Sequence, residues 1–134
     1  MPGSFFDTNV LLYVASGDPA KADRAEELID AGGVISVQVM NEITNVARRK
    51  IGMSWGETRA FLSLIRALLP VQALTIAIHE MGLTLAERYG LSTYDAMIAA
   101  SALHADCGTL WSEDMQDGLV LAGQLRIVNP FRAS

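Results

Sequence analysis

Short apolar runs that do not alternate with polar residues most constrain the fold of this chain. Ser4–Phe6, Val34-Ile35, Val71–Leu74, Thr109–Trp111 and Leu125–Val128 are the five runs, most of them separated by helical periodicity. A strand with one wet face alternates. A strand that does not alternate is covered on both faces, and strands joined through helices run parallel. The expected class is therefore α/β, a three-layer α/β/α domain around a central, mainly parallel five-stranded sheet.

Start and stop signals divide the helical stretches. A helix is expected over Asn9–Ala15. Asp18-Pro19 opens the next with a cap and a first-turn proline, Ala22, Ala25, Leu28 and Ile29 form its inner stripe, and Gly32-Gly33 ends it. Ser36 caps a helix through Lys50. Ser54 and Glu57 form a capping box for a helix carrying Trp55, Phe61, Leu62, Ile65 and Leu69, stopped by Pro70. The pattern Ile78, Met81, Leu85, Tyr89 is helical to Gly90, and Ser92 caps a last helix to about Asp106.

Length and composition close off other classes. The 134 residues make one domain, 1–134, and 51% apolar with 19% charged residues excludes a disordered chain. One cysteine, Cys107, excludes an intramolecular disulfide and a four-thiolate zinc site. The longest uncharged stretch, Ala67–His79, is too short for a membrane span and holds Pro70, and no basic leader precedes Asp7. The expected setting is cytoplasmic, without membrane association. The formal charge of −5 argues against a nonspecific nucleic-acid binder, unless the acids gather around metal; two divalent ions would bring −5 to −1.

Ligands of parallel sheets sit beyond the carboxyl ends of the strands. Asp7 follows the first strand directly, and Glu113, Asp114 and Asp117 follow the fourth. Glu42 lies less than two turns into the helix after the second strand, and Asp95 lies in the first turn of the helix capped by Ser92. Two carboxylates ~4 Å apart repel by ~4 kcal/mol at an effective dielectric near 20, so such a group calls for a cation or for protonation. Oxygen ligands without histidine suit Mg²⁺ or Mn²⁺, which activate water for hydrolysis of a phosphodiester. Each acid also has a local reading. Asp7 and Asp95 fit helix caps, Glu42 a solvated helix flank, and the acids after strand four a loop cluster.

Phe5-Phe6-Asp7-Thr8-Asn9-Val10-Leu11-Leu12 resembles the opening motif of PIN-domain nucleases. Glu42 matches that family's second acid. Leu91-Ser92-Thr93-Tyr94-Asp95-Ala96-Met97-Ile98 is similar to its third motif, and Leu110-Trp111-Ser112-Glu113-Asp114 to its fourth. The likeness runs through the whole chain in order and spacing. It implies a PIN-like fold in which Asp7, Glu42, Asp95 and Asp114 converge as catalytic residues on Mg²⁺ (or Mn²⁺) and cleave RNA. The size is similar to VapC-type ribonuclease toxins, which implies a homodimer restrained by a small antitoxin protein. Gly118 departs from the family, which often has an aromatic residue there; this leaves Asp117 as either an accessory metal ligand or a loop acid. Glu113 is expected to point outward.

Thr8, Asn9 and Ser112 flank the acids, where their hydrogen bonds either orient carboxylates or serve local turns; the resemblance favours the first for Thr8 and Ser112. Arg48-Arg49-Lys50 is the only basic run. It reads first as complementing a helix dipole and second as an RNA phosphate contact. Trp55 and Trp111 read as core or partner-interface residues rather than base-stacking platforms, and Met40, Met81 and Met97 as inner-face packing. His79, His104 and Cys107 have no partners at metal-ligand or nucleophile spacing. A phosphoryl-accepting receiver domain needs a late lysine, and the lysines here are Lys21 and Lys50. A PIN-like scaffold that binds RNA or partners without turnover is the other alternative.

Overall fold

The computed structural model describes residues 3–132, so the first two and last two positions of the expected 1–134 domain lie outside the described residues. The elements in order are β1 (Gly3–Phe6), α1 (Thr8–Leu12, continued by a 3₁₀ turn over Tyr13–Ala15), α2 (Pro19–Asp30), β2 (Ile35–Ser36) and α3 (Val37–Val46, widened into a π turn over Ala47–Ile51). Then come α4 (Trp55–Leu68), β3 (Val71–Gln72), α5 (Ile76–Tyr89), α6 (Thr93–His104), β4 (Cys107–Trp111), β5 (Val120–Leu121) and β6 (Leu125–Val128).

The main sheet has the order β1-β4-β6-β5, with β1, β4 and β6 parallel. The parallel pair β2-β3 joins its other side through Val34, which exchanges backbone hydrogen bonds with Ser4 and Phe6 on β1. These five are the expected strands. The sixth, β5, pairs antiparallel with β6. Neighbouring residues on a strand face opposite sides, and both Phe5 and Phe6 are wholly buried, so helices cover both faces of the sheet at β1. Phe5, Phe6, Leu110 and Ile127 from the strands pack with Ile43, Ile65, Ile78 and Ile98 from the helices in one core.

Local chemistry explains the helix starts. Asp18 accepts from Lys21 N with Pro19 at the first helical position, and Ser54 and Glu57 satisfy each other's backbone N–H. Ser36, Thr75 and Ser92 cap α3, α5 and α6 in the same way as Asp18, each accepting from the amide three residues on. Gly33 lets the chain entering β2 lie against β1. A Cβ there would stand 2.4 Å from the Phe6 ring and 2.9 Å from the Ser4 carbonyl oxygen.

Two side chains depart from their expected places. Trp55 is 59% exposed, because it begins α4 at the N-terminal edge, outside the stripe of Phe61 and Ile65. Met81 is also exposed, since Ile78, Gly82 and Leu85 form the buried line of α5.

The chain crosses from β1 to β2 on one side and to β4 on the other. The strand order therefore reverses between β1 and β4, and the crevice beyond their carboxyl ends is where such sheets bind ligands.

Candidate active site

Phe6 and Trp111 are register partners on β1 and β4, so Asp7 and Ser112 leave the sheet side by side. Asp7 N donates to Trp111 O at 2.9 Å, which carries the pairing one residue past the strand. Asp7 is only 4% exposed. Its Oδ1 accepts from Thr8 N at 2.7 Å, capping α1, and its Oδ2 accepts from Ser112 Oγ at 2.7 Å and Asn9 Nδ2 at 3.1 Å. Asp7 is thus both a helix cap and the buried floor of an acidic site. Burial pushes its carboxyl up to about 6, held back by the Ser112 and Thr8 hydrogen bonds and raised further by the charges of Asp95 and Glu42.

Glu42 comes from α3, where Thr8 Oγ1 and Gln38 Nε2 each donate to one of its oxygens at 2.9 Å. Asp114 follows β4 and accepts from Asn9 Nδ2 at 3.0 Å. The Asn9 amide therefore spans the Asp7 and Asp114 carboxylates, while its Oδ1 accepts from Glu113 N at 3.1 Å. Asp95 sits in the first turn of α6, its backbone amide given to Ser92 Oγ at 3.3 Å. The return bond of a capping box, made at Ser54–Glu57, is not made at Ser92–Asp95. Burial raises the Asp95 carboxyl, and the charges of Glu42 and Asp114 raise it further. Glu42 and Asp95 share the wall of a cavity of about 590 Å³.

Asp7, Glu42, Asp95 and Asp114 are thus coupled electrostatically, with Thr8, Asn9 and Ser112 making direct hydrogen bonds among them. Asp117 is placed differently. Its Oδ1 accepts from Asn129 N at 2.8 Å and its Oδ2 from Arg132 at 3.4 Å, fastening the segment after β6. Glu113 turns away from the acids but is not a solvated outward charge. It accepts from Tyr13 at 2.5 Å and Lys21 at 2.6 Å, beside the Phe131 ring that packs edge-on against Tyr13. The pattern of apolar residues carried no signal for this contact, because its partners lie 92 and 100 residues away.

In the basic run, Arg48 donates to Met53 O at 2.6 Å and lies over the Trp55 ring, with its guanidinium carbon 4.4 Å from the ring centroid. Arg49 and Lys50 are exposed.

Among the described residues, no three His, Cys, Asp or Glu side chains already form a metal cage. The donor chemistry nonetheless fits Mg²⁺ or Mn²⁺: all the charged groups are oxygen donors, and Mg²⁺ is held by one or two carboxylates while keeping several waters. Thr8, Asn9, Gln38 and Ser112 donate hydrogen bonds to the carboxylate oxygens of Asp7, Glu42 and Asp114.

Fold and site together define an α/β protein with a group of acidic side chains at its sheet's switch point. The PIN domain family profile matches residues 4–116, and the chain belongs to that family. Comparison with curated proteins returns no match. Among solved structures, it is similar to a toxin–antitoxin complex from Klebsiella pneumoniae, with TM-score 0.72 and 23% identity over 97% of this chain and 99% of that one. It is also similar to VapC20 of Mycobacterium tuberculosis, described as a sarcin-ricin-loop-cleaving toxin, with TM-score 0.68 and 19% identity over 83% and 91%. VapBC2 from Rickettsia felis, bound to a promoter DNA fragment, gives TM-score 0.68 and 18% identity over 94% and 98%. At these identities the likeness carries the fold. Among the described residues, no helix is long and apolar enough to cross a membrane.

Proposed function

We propose that this protein is a divalent-metal-dependent endoribonuclease and the toxin of a toxin–antitoxin pair, acting in the cytoplasm. One observation carries the reading: a buried Asp7, raised by burial and by neighbouring acids, sits at the switch point with Glu42, Asp95 and Asp114 around it. Asp7, Glu42, Asp95 and Asp114 would hold Mg²⁺ or Mn²⁺, directly or through water. When bound, such an ion polarises a phosphoryl oxygen and makes a water more acidic. Ser112 and Thr8 fix the carboxylates of Asp7 and Glu42, so their oxygens keep one orientation as substrate arrives. Asn9 keeps Asp114 against Asp7. Asp117 is left out of the ligand set because both its oxygens serve the segment after β6.

The toxin reading is supported by solved structures described as a toxin–antitoxin complex and as a sarcin-ricin-loop-cleaving toxin. A small antitoxin has apolar surface to cover: Leu64 and Leu68 on α4 are half exposed and, with Val14 and Ile29, line a cavity of about 250 Å³. A homodimer has a second apolar face in Ile76 and Leu83 on α5, seven residues apart on one side of the helix.

The test is RNA cleavage by purified wild type and Asp7→Asn in Mg²⁺ and in Mn²⁺. Cleavage should fall by orders of magnitude in the mutant, with its circular dichroism unchanged. Equal cutting by both proteins overturns the mechanism. Metal binding with no cleavage of structured or unstructured RNA would give the site to a non-catalytic scaffold.

A further inference from the structure

Asp114 is exposed on the bend after β4, and among the described residues its carboxylate has one hydrogen-bond donor, Asn9 Nδ2. The Asn9 amide therefore ties Asp114 to Asp7, and an amide does so in only one of its two orientations. With Nδ2 toward the carboxylates it donates to both; turned over, it would set Oδ1 against two negative charges. The backbone N–H of Glu113, 3.1 Å from Asn9 Oδ1, selects the donating orientation, since an N–H accepts nothing.

The Glu113 side chain fixes that N–H in place. Its Oε1 accepts from Tyr13 Oη at 2.5 Å and its Oε2 from Lys21 Nζ at 2.6 Å, while Lys21 Nζ also donates to Tyr13 Oη at 3.1 Å, closing a triangle. Tyr13 lies one turn beyond Asn9. Glu113 thus grips this helical stretch twice, through its backbone at Asn9 and its carboxylate at Tyr13. Lys21 brings α2 into the same knot, and Phe131 packs over it, its ring centroid 5.3 Å from Lys21 Nζ. Arg24 Nε donates to the adjoining Pro130 carbonyl at 3.1 Å and so holds Phe131 there. An ion pair whose side chains are 33% and 24% exposed adds little to stability by itself. Its consequence is positional, because metal-holding groups must be kept within about 0.5 Å of their working geometry.

We propose that Glu113 is a positioning residue of the acidic site: clamped by Lys21 and Tyr13, it fixes the bend after β4 and turns the Asn9 amide onto Asp7 and Asp114. The proposal rests on the metal-site reading above and adds to it a residue that touches neither metal nor substrate.

The test has two readouts, neither of them turnover. Calorimetry gives Mn²⁺ affinity, and NMR of metal-free protein follows the side-chain amide protons of Asn9, with circular dichroism confirming that each variant is folded. Glu113→Ala should weaken Mn²⁺ binding roughly tenfold. It should also move the Asn9 amide protons towards the position of solvated asparagines. Glu113→Gln accepts from Lys21 and donates to Tyr13, so it should restore most of both. Lys21→Met and Tyr13→Phe should act in the same direction as Glu113→Ala but less strongly, and they carry the test if Glu113→Ala does not fold. In an Asn9→Ala background, Glu113→Ala should weaken Mn²⁺ binding no further, a result that a merely stabilising role would not give. Further loss in that background overturns the proposal. So do Asn9 signals that stay unmoved in the folded variants, whether or not metal affinity falls. If wild type binds no Mn²⁺, the metal-site reading falls, and Glu113 is still judged on the Asn9 signals of metal-free protein.

Discussion

The hydroxyl of Ser112 donates to Asp7 across 2.7 Å, joining two residues 105 positions apart at the tips of adjacent parallel strands. Ser112 is wholly buried and also accepts from Met115 N at 3.1 Å, so one oxygen serves the acid and the turn after β4. Ser112→Ala removes a hydrogen bond to a charged group, which costs roughly 1.5–3 kcal/mol. It also removes the strongest influence holding the Asp7 carboxyl down, so the acidic limb of the cleavage profile should move to higher pH. Denaturant unfolding checks the first effect and a pH–rate profile the second. A stability loss with an unmoved acidic limb would confine Ser112 to the turn.

Metal-free protein should become more stable as pH falls from about 7 towards 5. Unfolded Asp7 releases its proton near 3.8 and folded Asp7 near about 6, so the folded state holds the extra proton between them. The contribution is fully present below the lower value and is lost as pH rises through about 6. A gap of about two pH units corresponds to roughly 3 kcal/mol. Asp95, also raised, acts in the same direction. Glu57 and Glu113 are lowered by hydrogen bonds from Ser54 and from Lys21 and Tyr13; their opposite effect falls at more acid pH. Thermal melts in chelator should show this rise in wild type and a shallower one in Asp7→Asn, which should also melt higher at pH 7.

Adding Mg²⁺ or Mn²⁺ should reverse that preference. An ion that binds only the folded state stabilises it by about 2.7 kcal/mol at a hundred times its Kd. Near pH 6 it should also release protons, because Asp7 must ionise to become a ligand. Calorimetry in two buffers of different ionisation enthalpy measures that release. Asp114→Asn should weaken the binding, and equal binding by mutant and wild type would remove Asp114 from the site.

Asp117→Ala separates a ligand from a fastening. Losing its hydrogen bonds to Asn129 and Arg132 should cost about 1 kcal/mol of stability and leave cleavage as in wild type. Lost metal affinity in the stable fraction would return Asp117 to the ligand set.

Much of this arrangement was legible in the residues because its signals are local. Asp18-Pro19, Ser54 with Glu57, and Ser92 each announce a helix within four positions, and the apolar runs at β1 and β4 leave no alternation to misread. Asp7 and Asp114 could be placed at strand ends by the same means, whereas Glu42 and Asp95 were read on helices and joined to them only through the family resemblance. The rest depends on contacts the chain makes with itself at long range. β5 is two residues whose pairing is set by β6, and its sequence carries no period of its own. Trp55 fits an inner stripe by type, but the first turn of α4 lies beyond the core. The pinning of Glu113 by Lys21 and Tyr13, and of Asp117 by Asn129 and Arg132, depends on where distant segments come to rest.

The adjacency of β1 and β4 also sets when the site can exist. Asp7 is made before its neighbour Ser112 and the carboxylate of Asp114, which follow it by more than a hundred residues. A growing chain therefore carries the first acid through more than a hundred further residues before its partner on β4 exists. The cluster is complete only once β4 is paired with β1. A product interrupted anywhere before that strand lacks both Ser112 and Asp114, so the acidic group cannot be completed in it.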